Sequence, residues 1–260
     1  MNVLVLTDFS STSTHILKYA GTLLHDRDVN FTLLHVQLPC SAFDCRGECK
    51  ELINPKFDKN IETITPYLDE KHNIEPLFVE GQYIDSIRET VDSHNIDLII
   101  LGNSHTRQPS NASELDMKTF DIITKIKCHV LLVSGHSEIK LPKNFVLPTD
   151  FSISVDHKLF SIIRDLYAVE QNKLSILSLR EVDKISDMQL LTQQRINRIV
   201  SNLNMQNINA DFTQIESKKA FDSCIVFARN LSIFNRIFSS SPNTVQKICN
   251  KHLPILFLHG

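Results

Sequence analysis

The first apolar run of the chain, Asn2 to Leu6, is short and rich in β-branched residues, and a polar segment, Asp8 to Thr14, separates it from a periodic stretch. There Ile16, Leu17, Tyr19, Ala20, Leu23 and Leu24 recur at three- and four-residue spacing, which gathers them on one face of a helix capped by the preceding Ser and Thr residues. A second apolar run follows at Phe31 to Val36. Strand, helix and strand at this spacing predict a parallel βαβ unit, because a parallel neighbour requires a crossover that returns along the sheet. The pattern continues with a helix around Phe57 to Lys71, a strand at Pro76 to Val79 and a helix at Tyr83 to Ser93. A strand at Asp97 to Leu101, a helix near Met117 to Ile126 and a strand at His129 to Val133 complete the set. Five strands alternating with helices predict a doubly wound, Rossmann-like α/β sheet.

The opening then recurs. Val5-Leu6-Thr7-Asp8-Phe9-Ser10 is answered 142 positions later by Leu147-Pro148-Thr149-Asp150-Phe151-Ser152, again after an apolar run and before an amphipathic segment. Phe31 to Val36 is matched by Leu174 to Leu179, and Cys128 to Val133 by Leu253 to Leu258. Such self-similarity at one domain's length indicates an internal duplication. The expected domains are 1–138 and 143–260, joined through Ser134 to Lys143 with its Gly135 and Pro142. In the second half about seven residues, Ser217 to Ser223, part the expected strands Asp211 to Glu216 and Cys224 to Ala228. This half is therefore expected to lack one crossover helix and to use an extended connection.

A chain of 260 residues has room for two such cores. Its 27 basic and 30 acidic residues, net charge −3, create no overall field for a polyanion, so nucleic acid is not an expected partner. The N-terminal apolar run is only about five residues long and has no basic flank, unlike a signal peptide. No stretch approaches the roughly 18 apolar residues of a membrane span, so no membrane partner is expected either. A cytoplasmic location follows as the expectation. Six unevenly placed cysteines do not form a disulfide framework, and reduced thiols are expected.

The segments VLVLTDFSSTSTHILKYAGTLL, FTLLHV, VEGQYIDSIRETVDSHNIDLIILGNS, KCHVLLV and KHLPILFLH, in this order and repetition, resemble the universal stress protein family in its tandem two-domain form. The resemblance spans nearly the whole chain and implies five parallel strands per domain in the order 3-2-1-4-5. Many members bind ATP through a loop written G-x2-G-x9-G followed by Ser or Thr, where glycines let backbone N–H groups approach phosphate at a helix start. Here Gly102 stands at the first position, but His105 occupies the second, Leu115 or Asp116 the third, and Asp116 or Met117 the hydroxyl position. In the second half the same positions are Ala228, Leu231, Ser241 and Pro242. Both phosphate loops therefore read as degenerate. Asp8 and Asp150 match the family's nucleotide-side aspartate, and Val36 a position lining the adenine pocket; the alternative reading is a helix-capping pair and a core valine.

Cys40, Cys45 and Cys49 share one loop without the paired spacing of a zinc ribbon, and His35 or Asp44 would have to complete a metal set; ordinary or redox-sensitive thiols are the alternative. The loop Asn103 to Asn111, with His105 and Arg107, and its counterpart with Arg229, Arg236 and Ser239 to Ser241, offer donors for an anion or form solvated loops. The eleven histidines are scattered, and no nucleophile elbow or acid–base pair is marked out, so catalysis is not expected. The resemblance implies dimerisation, expected here as an internal pseudo-dimer with Val130 to Val133 and Ile255 to Leu258 at the contact, or as a homodimer. The leading expectation is a cytoplasmic stress-response sensor or adaptor acting through conformational or protein contacts, with no cofactor. The alternatives are an ATP- or AMP-binding sensor or slow ATPase, and a redox or metal sensor built on the three-cysteine loop.

Overall fold

The opening apolar run becomes strand β1 (Asn2–Leu6), and in the computed structural model of the protein Val3, Leu4 and Val5 are fully buried. An unbroken apolar run suits a strand covered on both faces, as the middle strand of a parallel sheet must be. The structure describes residues 1–39, 48–103, 117–142, 144–152, 157–166, 173–178, 185–202, 206–209, 223–228 and 253–259. They fall into two compact units, the first built from residues 1–106 and 115–139 and the second carrying residues 140–260.

In the first unit α1 (Ser11–Leu23) follows β1, then β2 (Val29–Gln37), α2 (Glu48–Ile64), β3 (His72–Glu80), α3 (Tyr83–Ser93), β4 (Leu98–Asn103), α4 (Met117–Lys125) and β5 (His129–Ser134). All pairs are parallel, β1 lying between β2 and β4, with β3 beyond β2 and β5 beyond β4. This is the expected order 3-2-1-4-5. The order in which strands are added across the sheet reverses between β1 and β4, so right-handed crossovers place α1 and α2 on one face and α3 and α4 on the other. Packing of α1 against α2 and of α3 against α4 agrees with this. The six apolar residues expected on one face of α1 are all buried.

Two elements differ from expectation. The second helix spans Glu48–Ile64 rather than Phe57 to Lys71, with Pro55 inside it. Its apolar stripe, Ile53, Phe57 and Ile64, is buried on both sides of the proline, so packing outweighs the hydrogen bond that Pro55 cannot donate. The helix stops where Pro66 enters a short 3-10 turn, Thr65–Tyr67. Strand β3 runs from His72 to Glu80, longer than the four residues around Pro76, because it pairs along all of β2. Within this unit β3 lies at a sheet edge, the place where a strand accommodates proline.

The second unit contains β6 (Asn144–Thr149), α5 (His157–Leu166), β7 (Lys173–Ser178), α6 (Asp187–Asn202), β8 (Gln206–Asn209), β9 (Ser223–Ala228) and β10 (Ile255–Leu258). Strand β6 pairs in parallel with β7 and β9, β7 with β8, and β9 with β10. The partner of β7 is Gln206–Asn209 rather than the segment 211–216, which lies outside the described residues. Residues 210–222 separate β8 from β9, and the extended connection expected there lies outside the described residues.

The repeated T-D-F-S sequence makes the same turn in both units. Phe9 and Phe151 adopt left-handed backbone conformations, φ 62° and 59°. Each costs a bulky residue roughly 1–3 kcal/mol and persists only where its surroundings fix it. The fixing bonds correspond: Phe9 N–H donates to Thr7 Oγ1 and Phe151 N–H to Thr149 Oγ1, both at 3.0 Å. Ser10 N–H donates to Asp8 Oδ1 and Ser152 N–H to Asp150 Oδ1, again at 3.0 Å. The second helix of each unit adds an amide donor: Asn60 Nδ2 reaches Thr7 Oγ1 at 3.3 Å, and Gln189 Nε2 reaches the Asp150 carbonyl at 2.7 Å. Gln189 is fixed by a capping box with Ser186, whose N–H donates to Gln189 Oε1 at 3.0 Å. Among the described residues no helix is long and apolar enough to cross a membrane.

Thr7 Oγ1 also donates to Ser13 Oγ at 3.2 Å, so in the first unit one hydroxyl serves the turn, α1 and α2. Thr7→Val keeps the shape and strands the buried Asn60 amide and the Phe9 N–H; the expected cost is about 1–3 kcal/mol by urea unfolding. Thr7→Ser, which retains the hydroxyl, should recover most of that loss.

Candidate functional site

The T-D-F-S turn of the first unit opens onto a cavity of about 310 Å³ at the carboxyl ends of β1, β2 and β4. In an open parallel sheet this is the crevice where crossovers diverge to opposite faces and ligands gather. Asp8, Val36 and Gly102, three of the residues expected at a nucleotide site, line this one cavity. His105, Arg229 and Ser241 lie outside the described residues, as do Cys40 and Cys45 and the side chain of Cys49.

Asp8 is exposed to the cavity. Burial works to raise its carboxyl pKa, but hydrogen bonds from the Ser10 side chain and backbone, and from Ser13, outweigh it and hold the group below the usual carboxylate value. Ser10 is also the N-cap of α1, accepting from Ser13 N–H at 3.2 Å. Asp8 is therefore not itself the cap; its carboxylate accepts from the N-cap residue Ser10 and also faces the cavity. Asp150, in the equivalent turn of the second unit, is 7% exposed, and Ser152 donates to its carboxylate through both backbone and hydroxyl. The matched aspartates thus differ in how much of the carboxylate a ligand can reach.

Gly102 has a packing reason to be glycine. A Cβ there would lie 2.1 Å from Ile16 Cδ1 and 3.3 Å from Thr12 Cγ2. At Gly135 the Cβ would meet Thr12 at 3.2 Å, so two glycines make room for the first turns of α1. Helix–strand contact is thus one constraint on Gly102, and residues 104–116, which carry the rest of the loop pattern, lie outside the described residues.

Lys118 and Tyr83 are cavity residues that pattern reading did not single out. Lys118 Nζ sits 4.9 Å from the centre of the Tyr83 ring, a cation–π contact that fixes the ammonium at the cavity. Each stands at the start of a helix, Tyr83 first in α3 and Lys118 second in α4, and that position was the available signal. A lysine beside a helix N-terminus favours an anion. His35, considered as a metal ligand, donates from Nδ1 to the Thr7 carbonyl at 2.8 Å, packs at a tilt against Phe9 and stacks on Phe78, which ties β2 to the turn.

Among the described residues one histidine–carboxylate group has its ligand atoms close together, His25, Asp26 and Asp69. Asp69 already accepts from Lys71 N–H and Asp26 N–H at 3.1 Å and from His25 Nδ1 at 3.0 Å. Those bonds, the Lys71 contact foremost, hold its carboxyl below the usual value and tie the loops before β2 and β3 together. Cys128 and Cys224 are buried, and burial drives the Cys224 thiol pKa strongly upward, so these two cysteines are unreactive packing residues.

The model of the universal stress protein family matches residues 1–134. A universal stress protein from Archaeoglobus fulgidus DSM 4304 is similar over 99% of this chain and 98% of its own, at 13% identity and TM-score 0.70. A functionally unknown protein from Pseudomonas aeruginosa PAO1 is similar over 99% of this chain and 92% of its own, at 13% identity and TM-score 0.55. A universal stress protein in complex with cAMP covers 52% of this chain and 97% of its own, at 19% identity and TM-score 0.42. No curated protein sequence matches this one.

Gly102→Ala should destabilise the chain by about 1–3 kcal/mol, and Ile16→Val in the same chain should recover part of it in thermal melts. Because the folded Asp8 pKa is depressed, its contribution to stability is present above the unfolded value near 4 and is lost as pH falls through the folded value. Urea unfolding at stepped pH should therefore show wild type losing stability below about pH 4 more steeply than Asp8→Asn.

Proposed function

The chain belongs to the universal stress protein family, and from that premise we propose that it is a non-catalytic stress-response sensor of the cytoplasm whose first unit binds an adenine nucleotide weakly. Its response passes to protein partners through surface contacts. The observation that carries this reading is the convergence of Asp8, Val36 and Lys118 on one cavity at the sheet's carboxyl edge. Each group has a chemical use: the Asp8 carboxylate accepts hydrogen bonds from ribose hydroxyls, Val36 offers an apolar wall to a base, and Lys118 pairs with phosphate.

Weak binding follows from what the phosphate end lacks. Gly102 alone keeps glycine in the loop pattern, and the other positions carry His105, Leu115 or Asp116, and Asp116 or Met117 in place of glycine or a hydroxyl, so few backbone donors are free to approach a polyphosphate chain. One ammonium suits one phosphate. Asp8 is committed to its turn by Ser10 and serves as an acceptor, which favours binding over proton transfer. The repeated turn and matching strand pairs support a second domain of the same family in tandem, with a more enclosed aspartate suited to a structural or partner-facing role.

Calorimetry with AMP, cAMP and ATP tests the reading. AMP should bind the intact chain with a Kd of about 0.1–1 mM, corresponding to roughly 4–5.5 kcal/mol. Lys118→Gln should weaken AMP several-fold and Asp8→Ala more strongly. ATP binding a hundred-fold tighter than AMP through Lys118 would favour the ATP-dependent alternative, and no binding by any of the three would leave partner contacts alone as the function.

A further inference from the structure

A second cavity of the first unit, about 820 Å³, lies between α1 and α2 on the outer side of the same turn. Two helical stripes line it. Ser11, Thr14, His15 and Lys18 follow three- and four-residue spacing on α1, and Lys56, Lys59, Asn60 and Thr63 do so on α2. The lining holds three ammonium groups and several hydroxyls against a single carboxylate, Asp8, at its end. Among the described residues none of Lys18, Lys56 and Lys59 has a carboxylate within ion-pair distance, although the chain as a whole is slightly acidic.

Two of these cations are held in place by rings rather than by acids. Lys18 Nζ stands 5.0 Å from the centre of the Tyr67 ring, and Lys56 Nζ 5.7 Å from that of Phe9. A cation–π contact orients an ammonium without neutralising it, so the charge stays available. The buried Asn60 amide between the stripes is spent on Thr7 and Thr14, and the His15 ring contacts the Ser137 carbonyl at 2.8 Å. The Thr14 and Thr63 hydroxyls donate to the Ser10 and Lys59 carbonyls, so what faces the cavity is chiefly the three unneutralised ammonium groups on two packed helices.

We propose that this α1–α2 groove is a second anion site, distinct from the cavity beside Lys118, and that it takes a small molecule carrying a chain of linked phosphates. A single phosphate offers two charges at one point, whereas lysines drawn from two helices match charge spread along a chain. The site does not rest on the nucleotide reading. AMP binding through Lys118 tests that reading, and either can fail without the other.

Inorganic tripolyphosphate, added to the full chain at low ionic strength, is the probe. One equivalent should bind, with affinity falling as salt rises. Lys56→Gln combined with Lys59→Gln should weaken it about ten-fold or more, and Lys118→Gln should leave it unchanged. Amine acetylation read by mass spectrometry on the unmutated chain should show Lys18, Lys56 and Lys59 protected by tripolyphosphate, and monophosphate at equal ionic strength should not protect them. The same protection by ATP would identify a nucleotide's phosphate tail as a source of the ligand, and protection by tripolyphosphate alone an inorganic one. Protection spread evenly over all lysines, undiminished binding by the double variant, or loss of binding with Lys118→Gln would each overturn the proposal.

Discussion

The first unit depends on a left-handed turn that its sequence does not favour. Phe9 pays a steric cost that glycine would avoid, and the cost is met by the Thr7 hydroxyl, which receives the Phe9 N–H and the Asn60 amide while donating to Ser13. With that one oxygen in place, the turn is fixed, α1 starts at a defined angle, and α2 is tied to the end of β1. Asp8 is carried to the carboxyl edge of the sheet as a consequence. Its carboxylate is kept ionised by the same cap that begins α1, so the site's acceptor and the helix's start are one structural element.

Close approach of α1 to the sheet is the second constraint, and it sets the chemistry available to a ligand. At Gly102 a Cβ would lie 2.1 Å from Ile16 Cδ1, and at Gly135 it would press tightly on Thr12 at 3.2 Å. The same contact forms one wall of the strand-end cavity, which Ile16 and Gly102 both line. Positive charge lies in both cavities: one ammonium at the strand-end cavity and three in the groove between α1 and α2. Asp8 is the one lining residue the two cavities share.

The two units show how a repeated sequence reaches the same geometry with different supports. The backbone and carboxylate bonds of T-D-F-S coincide, yet the stabilising amide comes from Asn60 in one unit and from Gln189, itself held by a capping box, in the other. Asp150 ends enclosed and doubly engaged by Ser152, whereas Asp8 faces a cavity. Equal motifs thus carry unequal exposure of the carboxylate.

Periodicity alone determined the first unit's elements: β1, α1, α3, α4 and β5 form within a few residues of their expected limits, because apolar spacing on a half-buried element is a local property. The shared T-D-F-S turn was equally legible, since the motif and its flanks repeat at a fixed offset and both copies make the same bonds. Elements whose limits are set by neighbours were not. Burial of Ile53 and Phe57 carries α2 through Pro55, pairing with β2 lengthens β3, and pairing with β7 selects residues 206–209 over the segment further on. The site divides the same way. Asp8, Val36 and Gly102 could be named from sequence, but only the fold places Lys118 beside Tyr83, sets three lysines from two helices along one groove, and shows that Gly102 answers to Ile16. A sequence records which groups a chain carries and their local rhythm, while contacts between residues far apart in the chain exist only once the crossovers have closed.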